Sequence, residues 1–163
     1  MFREMRLKKQ QLSEEETVGI LQSCTAGVLA VTGDDGYPYA VPISYAYQDG
    51  RLYFHMARSG HKLDGIRRDD RVSFCVIQMD EVQPAAFTTH YRSAIAFGRA
   101  RILTADSEIQ AAMESLARKY SPGYLQSGRE EIRKEWKNFL AVEVTIEHMT
   151  GKAASEIIDN QAV

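Results

Sequence analysis

Apolar positions along this chain recur mainly in alternation, and helical spacing takes over in only a few segments. "LSEEETVGILQSC" opens the pattern as a helix over 13–23. Ser13 is placed to cap it, Glu16 to complete a capping box, and Val18 and Leu21 to face the core. Strands follow at Gly27–Gly33, Tyr39–Gln48 and Arg51–Ala57, with "DDGYP" turning between the first two and Asp49-Gly50 between the second and third. "HKLDGIRR", at 61–68, is a short helix with Leu63 and Ile66 on one face. A fourth strand, Arg71–Met79, leads into a loop, "DEVQPAAFTTHY", and a long fifth strand, Arg92–Thr104. An amphipathic helix over 106–120 is capped by Asp106 and carries Ile109, Met113, Leu116 and Tyr120 at helical spacing. "SPGYLQSG" breaks it, a further helix covers 129–138, and Leu140–Gly151 alternates as the sixth strand, followed by a weakly specified tail.

Tight hairpins and a single short helix between the third and fourth strands imply an antiparallel sheet, since parallel crossovers need longer connections. Six strands with long apolar members are enough to close into a small barrel, which removes exposed edges. The expected fold class is mainly β with flanking helices: a six-stranded antiparallel barrel in one domain spanning 1–163.

Composition narrows the function. A net charge of -2 and a pI near 6.1 exclude a general nucleic-acid binder. No apolar run reaches membrane length, and "MFREMRLKKQQ" lacks a secretory apolar region, so a soluble cytoplasmic protein is expected. Cys24 and Cys75 sit in apolar stretches and read as buried free thiols.

The chemical candidates centre on "YFHMARSGHKLDGIRRDD". His55 and His61 are separated by a strand-to-helix break, His90 and His148 lie far away, and no metal-ligand spacing exists, so no metal site is expected. Ser44, Ser59 and Ser93 lack a nucleophile-elbow motif, and Cys24 has no neighbouring base in sequence. No glycine-rich nucleotide loop is present, and "GDDG" is a hairpin turn. The Ser59-Gly60 break before a helix aims free backbone N–H groups outward, with His61 and Lys62 in the first turn, where cations are unfavourable unless an anion binds. Two readings stand side by side: an anion cradle, or a solvated basic turn balanced by Asp64, Asp69 and Asp70. Pro42 inside a strand has two readings as well, a simple edge or a place where the backbone turns toward a ligand.

In order along the chain, "GVLAVTGDDGYPYAVPISYAYQDGRLYFHMARSGHKLDGIRRDDRVSF", "FTTHYRSAIAFGRARIL", "KYSP" and "VEVTIEHMTGK" cover most of residues 26–152. This ordered set resembles the FMN-binding split-barrel family related to pyridoxamine 5'-phosphate oxidase, in particular its NimA-like branch associated with 5-nitroimidazole resistance. The resemblance implies an FMN-binding split barrel. Pro42, Ile43, Ser44 and Tyr45 would lie along the flavin ring and His55-Met56 near the ribityl phosphate. His61-Lys62 would grip the phosphate where the oxidase has Arg-Lys, and Ser93 stands where the oxidase carries a flavin-contacting Gln. It also implies a homodimer with the cofactor between subunits, Trp136 or its neighbours being candidates for the partner's contribution. The implied activity is that of an oxidoreductase on small, electron-poor substrates, with the nitro group of a 5-nitroimidazole as the example the branch suggests. The alternative is a non-catalytic flavin or haem carrier or redox sensor, with His55, His61 or His90 as an axial ligand. The chain lacks the oxidase's C-terminal Arg-x-His segment, which argues against pyridoxamine phosphate as substrate. His61 in place of Arg implies a weaker or pH-sensitive phosphate grip.

Overall fold

The structure is a computed structural model that describes residues 2–161. Helix α1 (Glu14–Ser23) begins at the expected capping box: Ser13 Oγ accepts from the Glu16 N–H at 3.2 Å, and the Ser13 N–H donates to the Glu16 carboxylate at 2.9 Å. Strands β1 (Ala26–Thr32) and β2 (Pro38–Ser44) form the first hairpin, with Asp35 and Gly36 at positive φ in its turn. Strands β3 (Ala46–Gln48) and β4 (Arg51–Ala57) form the second, through Asp49 (φ 47°) and Gly50 (φ 75°), the two left-handed residues a tight hairpin turn demands. Helix α2 (His61–Arg68) lies against β1. Then come β5 (Arg71–Gln83), β6 (Thr88–Ile102), α3 (Asp106–Tyr120), α4 (Leu125–Glu135), β7 (Phe139–Ala153) and α5 (Ser155–Gln161).

The described strands form one antiparallel sheet of seven in the order β2-β1-β5-β6-β7-β4-β3, not six. The additional strand arises because Tyr39–Gln48 does not run through: it breaks at Tyr45. The two halves sit at opposite ends of the strand order, so a single residue carries the chain from one sheet edge to the other, and no ladder closes the sheet there. The Tyr45 N–H, freed from any ladder, donates to the Tyr120 hydroxyl at 2.8 Å. The same hydroxyl faces the Tyr45 and Thr25 carbonyls and can donate to one of them at a time.

Three more expectations are corrected. "DEVQPAAFTTHY" is not an open loop: Asp80–Gln83 pairs with Thr88–Tyr91, extending a hairpin closed by a 3-10 turn at Pro84–Ala86. The residue preceding α3 is Ala105, so Asp106 is its first helical residue and not its cap. The α4 helix starts at Leu125, because the Pro122-Gly123 breaker occupies only one 3-10 turn. Cys24 and Cys75 are free and half-buried.

The inner sheet face and α1 enclose the main core, built on Leu29, Phe54, Phe74, Val76 and Val142. A second, smaller core (Leu103, Ala112, Ile132, Phe139 and Ala141) seats α3 and α4 on the other face. The β6–β7 register shifts between Phe97 and Gly98, where Glu147 of β7 is the extra, bulged residue, and a Cβ on Gly98 would lie 2.2 Å from the Thr145 carbonyl oxygen, so only glycine permits that strand approach. No described helix is long and apolar enough to cross a membrane.

Candidate functional site

The end of β4 and the start of α2 build the site. Gly60 has φ 122° and ψ 166°, open to glycine and strained for any other residue, and it lets the chain turn directly from strand into helix. Glycine has no side chain to cap α2, so the first-turn N–H groups of His61, Lys62 and Leu63 have no side-chain acceptor. A cavity of about 180 Å³ opens over them, lined by Tyr39, Met56, Ser59 and Gly60 together with His61 and Lys62.

Lys62 is half-buried and makes no hydrogen bond or ion pair among the described residues; burial pulls its ammonium pKa below the ordinary lysine value. His61 behaves differently. Its ring stacks on Tyr39 at 4.1 Å, and Nε2 accepts from the Asp34 N–H at 3.2 Å, with the Asp34 carboxylate 3.6 Å away. Arg68 donates to the same carboxylate at 2.9 Å, and this contact is the main cause that lowers its pKa. In this arrangement His61 ties α2 to the β1–β2 turn through Nε2, and Lys62 is the cation that lines the cavity without such a tie.

Met56 and Ala57 also line a second, larger cavity of about 650 Å³ bounded by β4, α3 and α4. Met113, Leu116, Ile132 and Phe139 form its apolar walls, and Ser44, His55 and Tyr120 add polar groups. His55 is open to the cavity but enclosed on its protein side. That enclosure, with the nearby Lys62 charge, pulls its imidazole pKa below the ordinary 6.5.

Of the residues singled out in the sequence, Ser44, His55, Met56, His61 and Lys62 thus come together around two adjoining cavities. Pro42, Ile43, Tyr45, Ser93 and Trp136 line neither. Pro42 is exposed on β2 opposite Val28, and Ile43 packs against the main core. Tyr45 is wholly buried, donating to the Leu21 carbonyl at 2.7 Å, with its phenol pKa raised by burial. Ser93 sits in β6 between Ile77 and Lys152. Trp136 packs edge-on against Phe139, 6.1 Å between ring centres, and lines neither of these two cavities.

Sequence reasoning missed the contribution of α3 and α4. Met113, Leu116 and Tyr120 were legible as the apolar stripe of α3, but the same spacing serves a core and a cavity wall equally well. Nothing in the local sequence marks Lys119, whose ammonium donates to the Cys24 carbonyl at 2.5 Å and lies 3.9 Å from the centre of the Tyr45 ring. Nor does anything mark Glu131, Glu135 and Asn138 as cavity residues. Among the described residues, no cluster of three or more His, Cys, Asp or Glu side chains is arranged to hold a metal ion.

Known proteins share this architecture. An uncharacterised protein of Rhizobium meliloti is 29% identical over 151 residues, 88% of this chain and 93% of its own. A FAD-binding protein from Mesorhizobium loti is 27% identical, with a TM-score of 0.63 over 89% of this chain and 97% of its own. A candidate 5-nitroimidazole antibiotic resistance protein from Bacteroides thetaiotaomicron has a TM-score of 0.74 over 88% of this chain and 86% of its own. At 21% identity that likeness is one of fold. A sequence profile for the family described as pyridoxamine 5'-phosphate oxidase matches residues 13–153, from the cap of α1 to the end of β7, and on that match the chain belongs to this family.

Proposed function

We propose that the protein is a flavoprotein that binds FMN and transfers electrons to small, electron-poor acceptors, 5-nitroimidazoles among them. The observation that carries this reading is Lys62: a half-buried ammonium without a partner among the described residues, at an uncapped helix start, beside a large apolar cavity. A phosphate dianion satisfies both deficits at once, taking a charge-assisted contact from Lys62 and hydrogen bonds from the first-turn N–H groups of α2. Met56 and Ala57 join that cradle to the larger cavity, whose Leu116, Ile132 and Phe139 walls suit a flat ring. The relation to a FAD-binding protein supports the flavin class, and the open cradle supports the phosphate end.

FMN, when bound, supplies one- and two-electron transfer. The chain's own residues bind, orient and shield. Lys62 and the α2 N–H groups anchor the phosphate end. Ser44 offers a hydroxyl at the end of β2 for a polar edge. His55, with its lowered pKa, is neutral at physiological pH and can hold or deliver a proton at the cavity wall. A second copy of the chain covers the open side of the site in this proposal, as a homodimer.

The test starts from the purified protein and its visible spectrum, followed by titration with FMN and with riboflavin, which lacks the phosphate. Tight FMN binding and much weaker riboflavin binding are expected. Equal affinity for the two, a haem spectrum, or no uptake of either overturns the reading. Anaerobically reduced protein should then be reoxidised by a 5-nitroimidazole; a spectrum that stays reduced removes the nitro-group activity and leaves the flavin site standing.

A further inference from the structure

Among the described residues, the acidic side chains lining the 650 Å³ cavity are Glu131 and Glu135, one helical turn apart on α4, and no lysine or arginine lines it. Their charge is poorly compensated. The Glu135 carboxylate accepts 2.7 Å from the neutral Asn138 amide and has no ion pair among the described residues. Glu131 lies 3.5 Å from the Lys134 ammonium, but those side chains are 63% and 71% exposed, so water screens the pair. Cations on neighbouring elements are engaged elsewhere: Arg129 with Glu114 at 3.0 Å, Lys119 with the Cys24 carbonyl, Arg58 with the Phe139 carbonyl at 3.2 Å. His55 adds no fixed positive charge, because burial and Lys62 favour its neutral form. The walls between these groups are apolar, so the two carboxylates, partly screened by solvent on their outer side, set a negative sign on the cavity.

We infer that this cavity selects a small, planar, positively charged ring, such as an imidazolium or pyridinium, over neutral isosteres, and rejects anionic substrates. Phe139 and Met113 offer the polarisable surface that a delocalised cation favours, and Glu131 and Glu135 supply the opposite charge. The inference deepens the functional reading above and rests on it for the word substrate: a cationic ring is more electron-poor than its neutral parent and hence a better electron acceptor. The same charge pattern sorts anions between the two cavities, with a phosphate drawn to Lys62 and kept from the carboxylate side.

Binding is read through Trp136, the single tryptophan of the chain, whose ring lies 6.1 Å from that of the wall residue Phe139. The probes are 1-methyl-5-nitroimidazole (neutral), its N3-methylated imidazolium (cationic) and 4-nitrobenzoate (anionic), each titrated into FMN-free and FMN-treated protein. The imidazolium should bind about fivefold tighter than the neutral ring, the scale of one incompletely screened charge contact. Nitrobenzoate should bind more weakly than the neutral ring, and added salt should narrow both gaps. Replacing both carboxylates (Glu131→Gln with Glu135→Gln) should bring the affinity for the imidazolium down to that for the neutral ring in the same variant. Equal binding of cation and anion, no binding of the imidazolium, or a preference that survives the double substitution overturns the inference. If FMN fails to bind while the cation preference holds, only the flavin reading falls. If FMN binds and no charge preference appears, only the inference about the cavity falls.

Discussion

Lys62, in the first turn of α2, and Lys119, in the last turn of α3, are both half-buried, and burial draws both ammonium pKa values below the ordinary lysine range. They differ in what surrounds the charge. Lys119 donates to the Cys24 carbonyl and lies over the Tyr45 ring, and its position at a helix C-terminus is electrostatically favourable. Lys62 stands at a helix N-terminus, where the dipole opposes it, with no partner among the described residues. One lysine closes the structure around the β2–β3 break. The other has its charge uncompensated at the helix start. Burial alone therefore does not mark a binding residue; burial without compensation does.

This contrast can be broken first at Lys62. Lys62→Met should weaken FMN binding by about 1–3 kcal/mol, the range for a charge-assisted contact, whereas Lys119→Met should leave FMN affinity nearly unchanged. Flavin fluorescence titration reads both, and equal losses would end the distinction.

In flavin-free protein the two substitutions should differ in sign. Lys119→Met removes a hydrogen bond and a cation–π contact and should lower stability by about 1–2 kcal/mol. Lys62→Met replaces an uncompensated ammonium by an apolar chain of similar length and should be neutral or stabilising by up to about 1 kcal/mol. Urea unfolding measures each, and a destabilised Lys62→Met protein would show that its charge already has a partner.

His55 gives a smaller, pH-dependent test. Its folded pKa lies below the ordinary 6.5, so the unfolded chain binds the proton more readily. Its contribution to stability is thus present above that value and is lost as pH falls through the folded pKa. Removing the Lys62 charge, or adding a bound phosphate, should raise the folded pKa and reduce that acid-side loss. An NMR titration of His55 in the parent and Lys62→Met proteins checks the direction; a downward or absent shift contradicts it.

The smallest effect is expected at Ser93, which lines neither cavity within its own chain. Ser93→Ala should shift the FMN absorption spectrum or affinity slightly if a second copy brings this residue to the cofactor. Unchanged affinity and an unchanged spectrum would remove Ser93 from the site.

Much of this was legible locally. The Ser13–Glu16 box, the Asp49-Gly50 turn and the "HKLDGIRR" helix follow from interactions within a few residues, and each appears where the pattern placed it. The break between Ser59-Gly60 and His61-Lys62 was readable too, since glycine before a basic first turn is a local conflict with a physical meaning. The His61 and Lys62 side chains then diverged. His61 stacks on Tyr39, 22 positions earlier, and reaches Asp34, and no property of the "GHK" triplet specifies that partner.

By itself the sequence determined the antiparallel, mainly β character of the chain, most element positions, and the glycine break before a basic first turn after β4, because alternation, caps and turn residues act at short range. Only the tertiary structure decided that a single strand splits at Tyr45, since the break depends on a tyrosine hydroxyl 75 residues away. It likewise decided which lysine is satisfied and which is not, and that α4 brings two carboxylates to an apolar cavity. Compensation of charge and enclosure of space are properties of packed surfaces from distant segments, and no local pattern of residues encodes them.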